Sequence, residues 1–109
     1  MTTSNLDVFQ VIADPNRRYI LQLLSEESLT INSLAEYFDM SRPAVSKHIR
    51  ILNESGFISI EDRGRERYCT LQQDGFREVQ DWMNYFDSFW NNKLSMLQSI
   101  LKKQKKGRQ

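Results

Sequence analysis

The sequence predicts a mainly helical α+β fold: helices first, then one β-hairpin, then a single long helix. Three observations carry that expectation. Apolar residues recur at three- and four-residue spacing through most of the chain. The period shortens to two only between Phe57 and Leu71. Capping residues and prolines punctuate the chain at Asp14-Pro15 and at Ser41-Arg42-Pro43.

Residues 5–13 place Leu6, Phe9 and Ile12 or Ala13 at helical spacing. Asp14 is a good N-cap, and Pro15 loses no hydrogen bond at a first helical position. A second helix is therefore expected from Pro15 to about Glu26, with Ile20, Leu21, Leu23 and Leu24 inward. Residues 28–31 read as a connector with room for a very short strand. A short third helix should start at Asn32 or Ser33, because Ser33 and Glu36 have capping-box spacing. Its inward residues are Leu34, Ala35 and Phe38, and Asp39-Met40 ends it.

Ser41 caps a fourth helix over 42–55, and Pro43 sits in its first turn, where a missing N–H is harmless. Val45, Ile49 and Leu52 form its apolar stripe. Gly56 stops it, with Phe57 placed for the hydrophobic contact that accompanies such a stop. Ile58 and Ile60 then alternate with Ser59 and Glu61, Gly64 occupies a polar turn, and a second strand passes through Tyr68 to Leu71. This is a hairpin over 58–71 with a charged tip. Asp74 opens the last helix, which should reach about Leu101, roughly 40 Å at 1.5 Å per residue.

A length of 109 residues suits one domain, expected over 1–101, followed by a basic flexible tail at 102–109. The apolar runs are too short to span a membrane, and the opening residues lack the pattern of a secretory signal. One cysteine, Cys69, excludes an intrachain disulfide and suits a cytoplasmic setting. The net charge of +1 conceals three unlike segments. Residues 1–40 hold two basic and six acidic side chains, residues 41–70 six and four, and residues 71–109 seven and four.

Two helices joined by a short turn, the second capped by serine and followed by a charged hairpin, make a winged helix-turn-helix pattern. With Val45, Ile49 and Leu52 inward, Arg42, Ser46 and Arg50 share the opposite side, with Pro43 and Lys47 beside them. No acidic residue lies between Ser41 and Asn53, which suits a helix entering a phosphate-lined groove. Arg63, Arg65 and Arg67 alternate along the hairpin and are expected on one face, aimed at phosphates or a minor groove. Pairing of these arginines with Glu61, Asp62 and Glu66 is the competing use of their charge. The candidate DNA-binding set is Ser41, Arg42, Pro43, Ser46, Lys47, Arg50, Arg63, Arg65 and Arg67.

The run Asp14-Pro15-Asn16-Arg17-Arg18-Tyr19-Ile20-Leu21 resembles the helix opening of the arsenical-resistance repressor (ArsR) family of winged-helix regulators. Leu34-Ala35-Glu36 together with Met40 to Leu52 resembles that family's helix-turn-helix, and Gly64-Arg65-Glu66-Arg67-Tyr68 its wing. The resemblance covers roughly residues 5–72. It implies a dimeric prokaryotic repressor, often released from DNA by an effector, with Arg42, Pro43, Ser46 and Lys47 at DNA-reading positions. The chain departs from the metal-sensing members: the helix before the recognition helix has no Cys-x-Cys pair, and the last helix has no histidine. No metal site and no cofactor are expected. His48 reads as a half-buried packing or phosphate-contacting residue. Cys69 reads as a small core residue, with an intersubunit disulfide as the alternative.

Phe76, Trp82, Tyr85, Phe86, Phe89 and Trp90 are half of the chain's aromatics and fall in the last helix. With Met83, Leu94 and Leu97 they form a stripe wider than one small domain covers. A homodimer interface is expected there, formed by Leu6, Phe9, Trp82, Phe86, Phe89, Trp90, Leu94 and Leu97. Folding of the stripe onto its own domain, or an effector pocket lined by these aromatics, are the alternatives. The expected function is a homodimeric DNA-binding regulator, a repressor, acting on an inverted-repeat operator in duplex DNA. The competing function is a winged-helix protein-interaction module that does not bind DNA. An enzyme is not expected, since no Ser–His–Asp or Cys–His set and no phosphate loop is present.

Overall fold

The structure, a computed structural model, describes residues 6–107, with side chains described as far as Lys103. The expected helix start at residue 5, residues 108 and 109, and the side chains of 104–107 lie outside the described residues, but the last helix continues to residue 107, past the expected end near Leu101 and into the expected flexible tail. The elements are α1 (Val8–Ala13), α2 (Pro15–Leu24), β1 (Leu29–Thr30), α3 (Ile31–Ala35), α4 (Arg42–Glu54), β2 (Ile58–Arg63), β3 (Glu66–Leu71) and α5 (Gln73–Gly107). The chain divides after Val79 into a compact unit and a second unit made by the rest of α5. The three strands form one antiparallel sheet in the order β1-β3-β2. The architecture is the winged helix-turn-helix, mostly helical with a small sheet and a long final helix.

The core of the first unit joins residues from every layer: Val8, Val11, Ile20, Leu24, Leu34, Val45, Ile49, Leu52, Phe57, Ile58 and Cys69. In α1 the buried residues are Val8 and Val11, while Leu6 just before it and Phe9 and Ile12 within it are half-buried against that core. Asp7 caps this helix through the Phe9 N–H, and that start turns the two valines inward. The expectation for α3 needs correction. In α3 the cap is Thr30 rather than Ser33: its Oγ1 accepts the Ser33 N–H at 3.0 Å. Thr30 also pairs with Tyr68 in the sheet, so the chain turns from strand directly into helix. The helix ends at Ala35, earlier than Asp39-Met40, and tightens into three-residue turns through the bonds of Glu36, Tyr37 and Phe38 N–H to Ser33, Leu34 and Ala35 carbonyls. The turn to α4 is correspondingly longer than expected.

The end of α4 follows the expected stop. Gly56 adopts φ +85°, its N–H reaches the Asn53 carbonyl, and the Phe57 N–H reaches Leu52. That pair of bonds satisfies end carbonyls of α4 and drives the Phe57 ring into the core. The Gly75 N–H then bonds the Gly56 carbonyl at 2.8 Å, tying the start of α5 to this turn. Phe57 and Phe76 meet edge to face with centroids 4.9 Å apart. A β-carbon on Gly75 would stand 2.8 Å from Phe57 Cγ. Phe57 is fully buried. Gly75→Ala is therefore expected to cost about 1–3 kcal/mol from overpacking, reduced by up to about 1 kcal/mol of helix propensity. Thermal unfolding checks this; an unchanged or higher midpoint contradicts it.

Asp14 caps α2, its Oδ1 accepting the Asn16 and Arg17 N–H at 2.8 and 3.2 Å. Burial opposes its ionisation, but those two bonds and the positive charge of Arg17 outweigh burial and hold the carboxyl below its ordinary range. A lowered folded-state value means Asp14 stabilises the fold above the usual carboxylate range, and the contribution disappears as pH falls through the folded value. Asp14→Ala should cost about 1 kcal/mol at neutral pH. Unfolding compared between wild type and Asp14→Asn from neutral pH to pH ~2 should show a gap that closes on acidification; a gap independent of pH contradicts the charge argument.

Candidate nucleic-acid interface

Helix α4 is built with two faces. Ser41 accepts the Ala44 N–H at its start, and Val45, Ile49 and Leu52 are buried. Arg42, Pro43, Lys47, Arg50 and Asn53 are exposed. Ser46, expected on the outward face, is half-buried. It lines a groove between α4 and the sheet, with Ile31, Ile49 and Ile60 beneath and Lys47, Arg50, Asn53 and Arg67 around it. The groove is thus apolar at depth and rimmed by three cations. Arg50 and Arg67 enter it from α4 and β3 respectively, a pairing that linear sequence does not reveal.

Arg42 is not a loose side chain. Its Nε donates to Asn32 Oδ1 at 2.6 Å, so α3 orients the guanidinium at the start of α4. Asn32 was not among the expected site residues. Its spacing from Arg42 carries no local signal, and only the packing of α3 on α4 brings the two together.

The wing closes through Gly64 and Arg65, with Arg63 opposite Glu66. Gly64 has φ +66° and no non-glycine residue among the described residues has positive φ, the pattern of a turn with glycine at its first central position. This turn changes the expected arrangement of the arginines. Arg63 lies on β2, Arg65 in the turn and Arg67 on β3, so they do not alternate along one strand. Arg67 shares a face with its partner Asp62, and Arg63 points to the other side with Glu61. Arg63 pairs with Glu61 at 3.0 Å and stacks 4.5 Å above the Tyr68 ring. Arg67 pairs with Asp62 at 3.2 Å. Among the described residues no acid pairs with Arg65. The wing tip therefore offers one cation whose charge is not already engaged.

His48 is half-buried, with its Nδ1 3.2 Å from Arg17 Nη1. Cys69 is fully buried on β3. Burial pushes its thiol up to about 11, and Arg67 only partly opposes this. A protonated, enclosed thiol is a poor nucleophile, so the core reading of Cys69 fits and the intersubunit disulfide does not. No group of three or more His, Cys, Asp or Glu side chains comes together among the described residues. Among the described residues no helix is long and apolar enough to cross a membrane.

In the second unit, α5 leaves Trp82, Met83, Phe89, Trp90, Leu94 and Leu97 about half exposed, and Phe86 36% exposed. Edge-to-face contacts join Trp82 to Phe86 and Phe89 to Trp90, with centroids 5.0 and 5.1 Å apart. The aromatics thus order one another along the helix without being enclosed by it.

The profile of the bacterial regulatory proteins of the arsR family matches residues 14–59 of this chain. The transcriptional repressor SdpR of Bacillus subtilis (strain 168) is 35% identical over 88 residues, which are 81% of this chain and 98% of the repressor. The chain belongs to the ArsR family. A crystal structure of another ArsR family transcriptional regulator has a TM-score of 0.70 to this one at 38% identity, over 77% of this chain and 92% of that one. At the level of fold alone, a homodimeric winged helix-turn-helix DNA-binding domain from Mycobacterium bovis has a TM-score of 0.59 at 21% identity, over 73% of this chain and 75% of that one. This ArsR-family protein is accordingly a transcriptional regulator and not an enzyme.

Proposed function

We propose that this ArsR-family regulator is a homodimeric, cytoplasmic repressor that binds an inverted-repeat operator. Each subunit places α4 in a major groove and its wing on the adjoining backbone or minor groove. The observation that carries this reading is the outer face of α4. Arg42, Lys47 and Arg50 are exposed there, no acid lies between Ser41 and Asn53, and Arg65 stands unpaired at the wing tip. Ser41, Pro43 and Ser46 would position or read the duplex alongside them, and Arg63 and Arg67 would trade their carboxylate partners for phosphates. The exposed row on α5, with Leu6 just before α1 and Phe9 within α1, is the proposed dimer seam. A homodimeric neighbour of the same fold is in keeping with a dimer but does not locate the seam.

Affinity for random duplex DNA across a range of salt tests the reading. The logarithm of the binding constant should fall linearly with the logarithm of salt, by about 0.9 for each phosphate neutralised. Lack of salt-dependent affinity would instead favour a protein-interaction module, which the exposed aromatic helix could serve. Arg65→Ala should weaken binding to all sequences alike and reduce the slope by about one unit. An unchanged slope would remove the wing tip from the interface.

A further inference from the structure

We propose that Arg17 is a positioning residue for DNA recognition, its guanidinium tying the end of α1 to His48 and so setting the pose of α4. This rests on α4 being the DNA-reading helix, as proposed above. The last carbonyls of a helix have no partner within it. In α1 two arginines of α2 supply the donors. Arg18 Nη1 donates to the Ile12 and Ala13 carbonyls, both at 2.9 Å. Arg17 Nε donates to the Val11 carbonyl at 2.7 Å, and its Nη2 to Gln10 at 3.4 Å. The two arginines therefore do the same work for α1. Only Arg17 goes further, its Nη1 meeting His48 Nδ1 on α4.

A guanidinium carries donors and no acceptor, so His48 Nδ1 must accept. The ring is then neutral with its proton on Nε2. One half-buried, planar, permanently charged group thus fixes three elements: α2 through its own backbone, α1 through two carbonyls and α4 through the imidazole. A shift of α1, which the proposed dimer seam includes, reaches the recognition helix through this group. Arg18 is the internal control, since it holds α1 in the same way without touching His48.

The test compares Arg17→Met and Arg18→Met on a duplex selected by the wild type from a random pool, and on random duplex. Arg17→Met should weaken binding to the selected duplex about tenfold or more, leaving random-duplex affinity and the salt slope unchanged. Arg18→Met should change neither. Equal losses in the two variants would reduce the effect to a general loosening of α1 and overturn the proposal. Equal loss on both duplexes with a shallower slope would make Arg17 a phosphate contact and also overturn it. Should Arg17→Met fail to fold, His48→Phe keeps a ring and Arg17's bonds to α1 while removing the acceptor. It should show the same selective loss, and unchanged affinity would overturn the link. If the wild type bound no duplex, the DNA-binding reading would fail, and ring nitrogen resonances of His48 would judge the link alone. A single Nε2–H tautomer in the wild type, lost in Arg17→Met, supports it; mixed tautomers in the wild type overturn it.

Discussion

Replacing Arg42 and Lys47 together by alanine should abolish sequence-specific DNA binding at moderate salt. Each side chain is expected to contribute about 1–3 kcal/mol, and the pair about 2–6 kcal/mol if they add. The expectation rests on geometry as well as charge. Arg42 is held at the start of α4 by Asn32, so its guanidinium is oriented before DNA arrives. Lys47 stands exposed on a face without acids. Both side chains are exposed, so folding stability should change by no more than about 0.5 kcal/mol. Affinity for a selected duplex at fixed salt, with thermal unfolding as the fold control, checks the effect. Unchanged affinity would sink the recognition-helix assignment. Asn32→Ala should give a smaller loss at the same base position, since it releases Arg42 without removing it.

Phe86→Glu with Trp90→Glu should convert the protein from dimer to monomer. Both aromatics lie on the exposed row of α5, Trp90 being 59% exposed in a single chain. At a two-fold interface each substitution occurs twice, so an aromatic anchor worth about 2 kcal/mol costs about 4 kcal/mol. That is roughly a thousandfold in the dissociation constant for each position. Introduced carboxylates add the cost of burying charge. Sedimentation at micromolar concentration should show the wild type as a dimer and the double variant as a monomer. Operator affinity should fall with it, since one subunit then grips one half-site. A double variant that remains dimeric would move the seam away from this row.

The helical framework was legible in the sequence because its punctuation is local. Asp14-Pro15, Ser41 with Pro43, and Gly56 with Phe57 act over a few residues, and each ends or starts a helix where expected. Errors arose where a long-range contact chose between local options. Thr30 displaced Ser33 as a cap because the sheet already held it opposite Tyr68. The basic face of α4 could be read from spacing alone, whereas the groove that half-buries Ser46 required the sheet to fold back against that helix. Alternation placed the wing arginines on one face; a two-residue turn at Gly64-Arg65 separated them and left Arg65 at the tip. Asn32 and Arg17 had no sequence signature for their roles, because both act across elements on residues distant in the chain.

Selection of bound sequences from a random duplex pool tests the central claim most directly, since it reads DNA binding, two-fold symmetry and half-site spacing together. The account predicts enrichment of an inverted repeat with half-sites about 34 Å apart, one turn of the double helix. Enrichment of a single asymmetric site, or no enrichment at all, would contradict it.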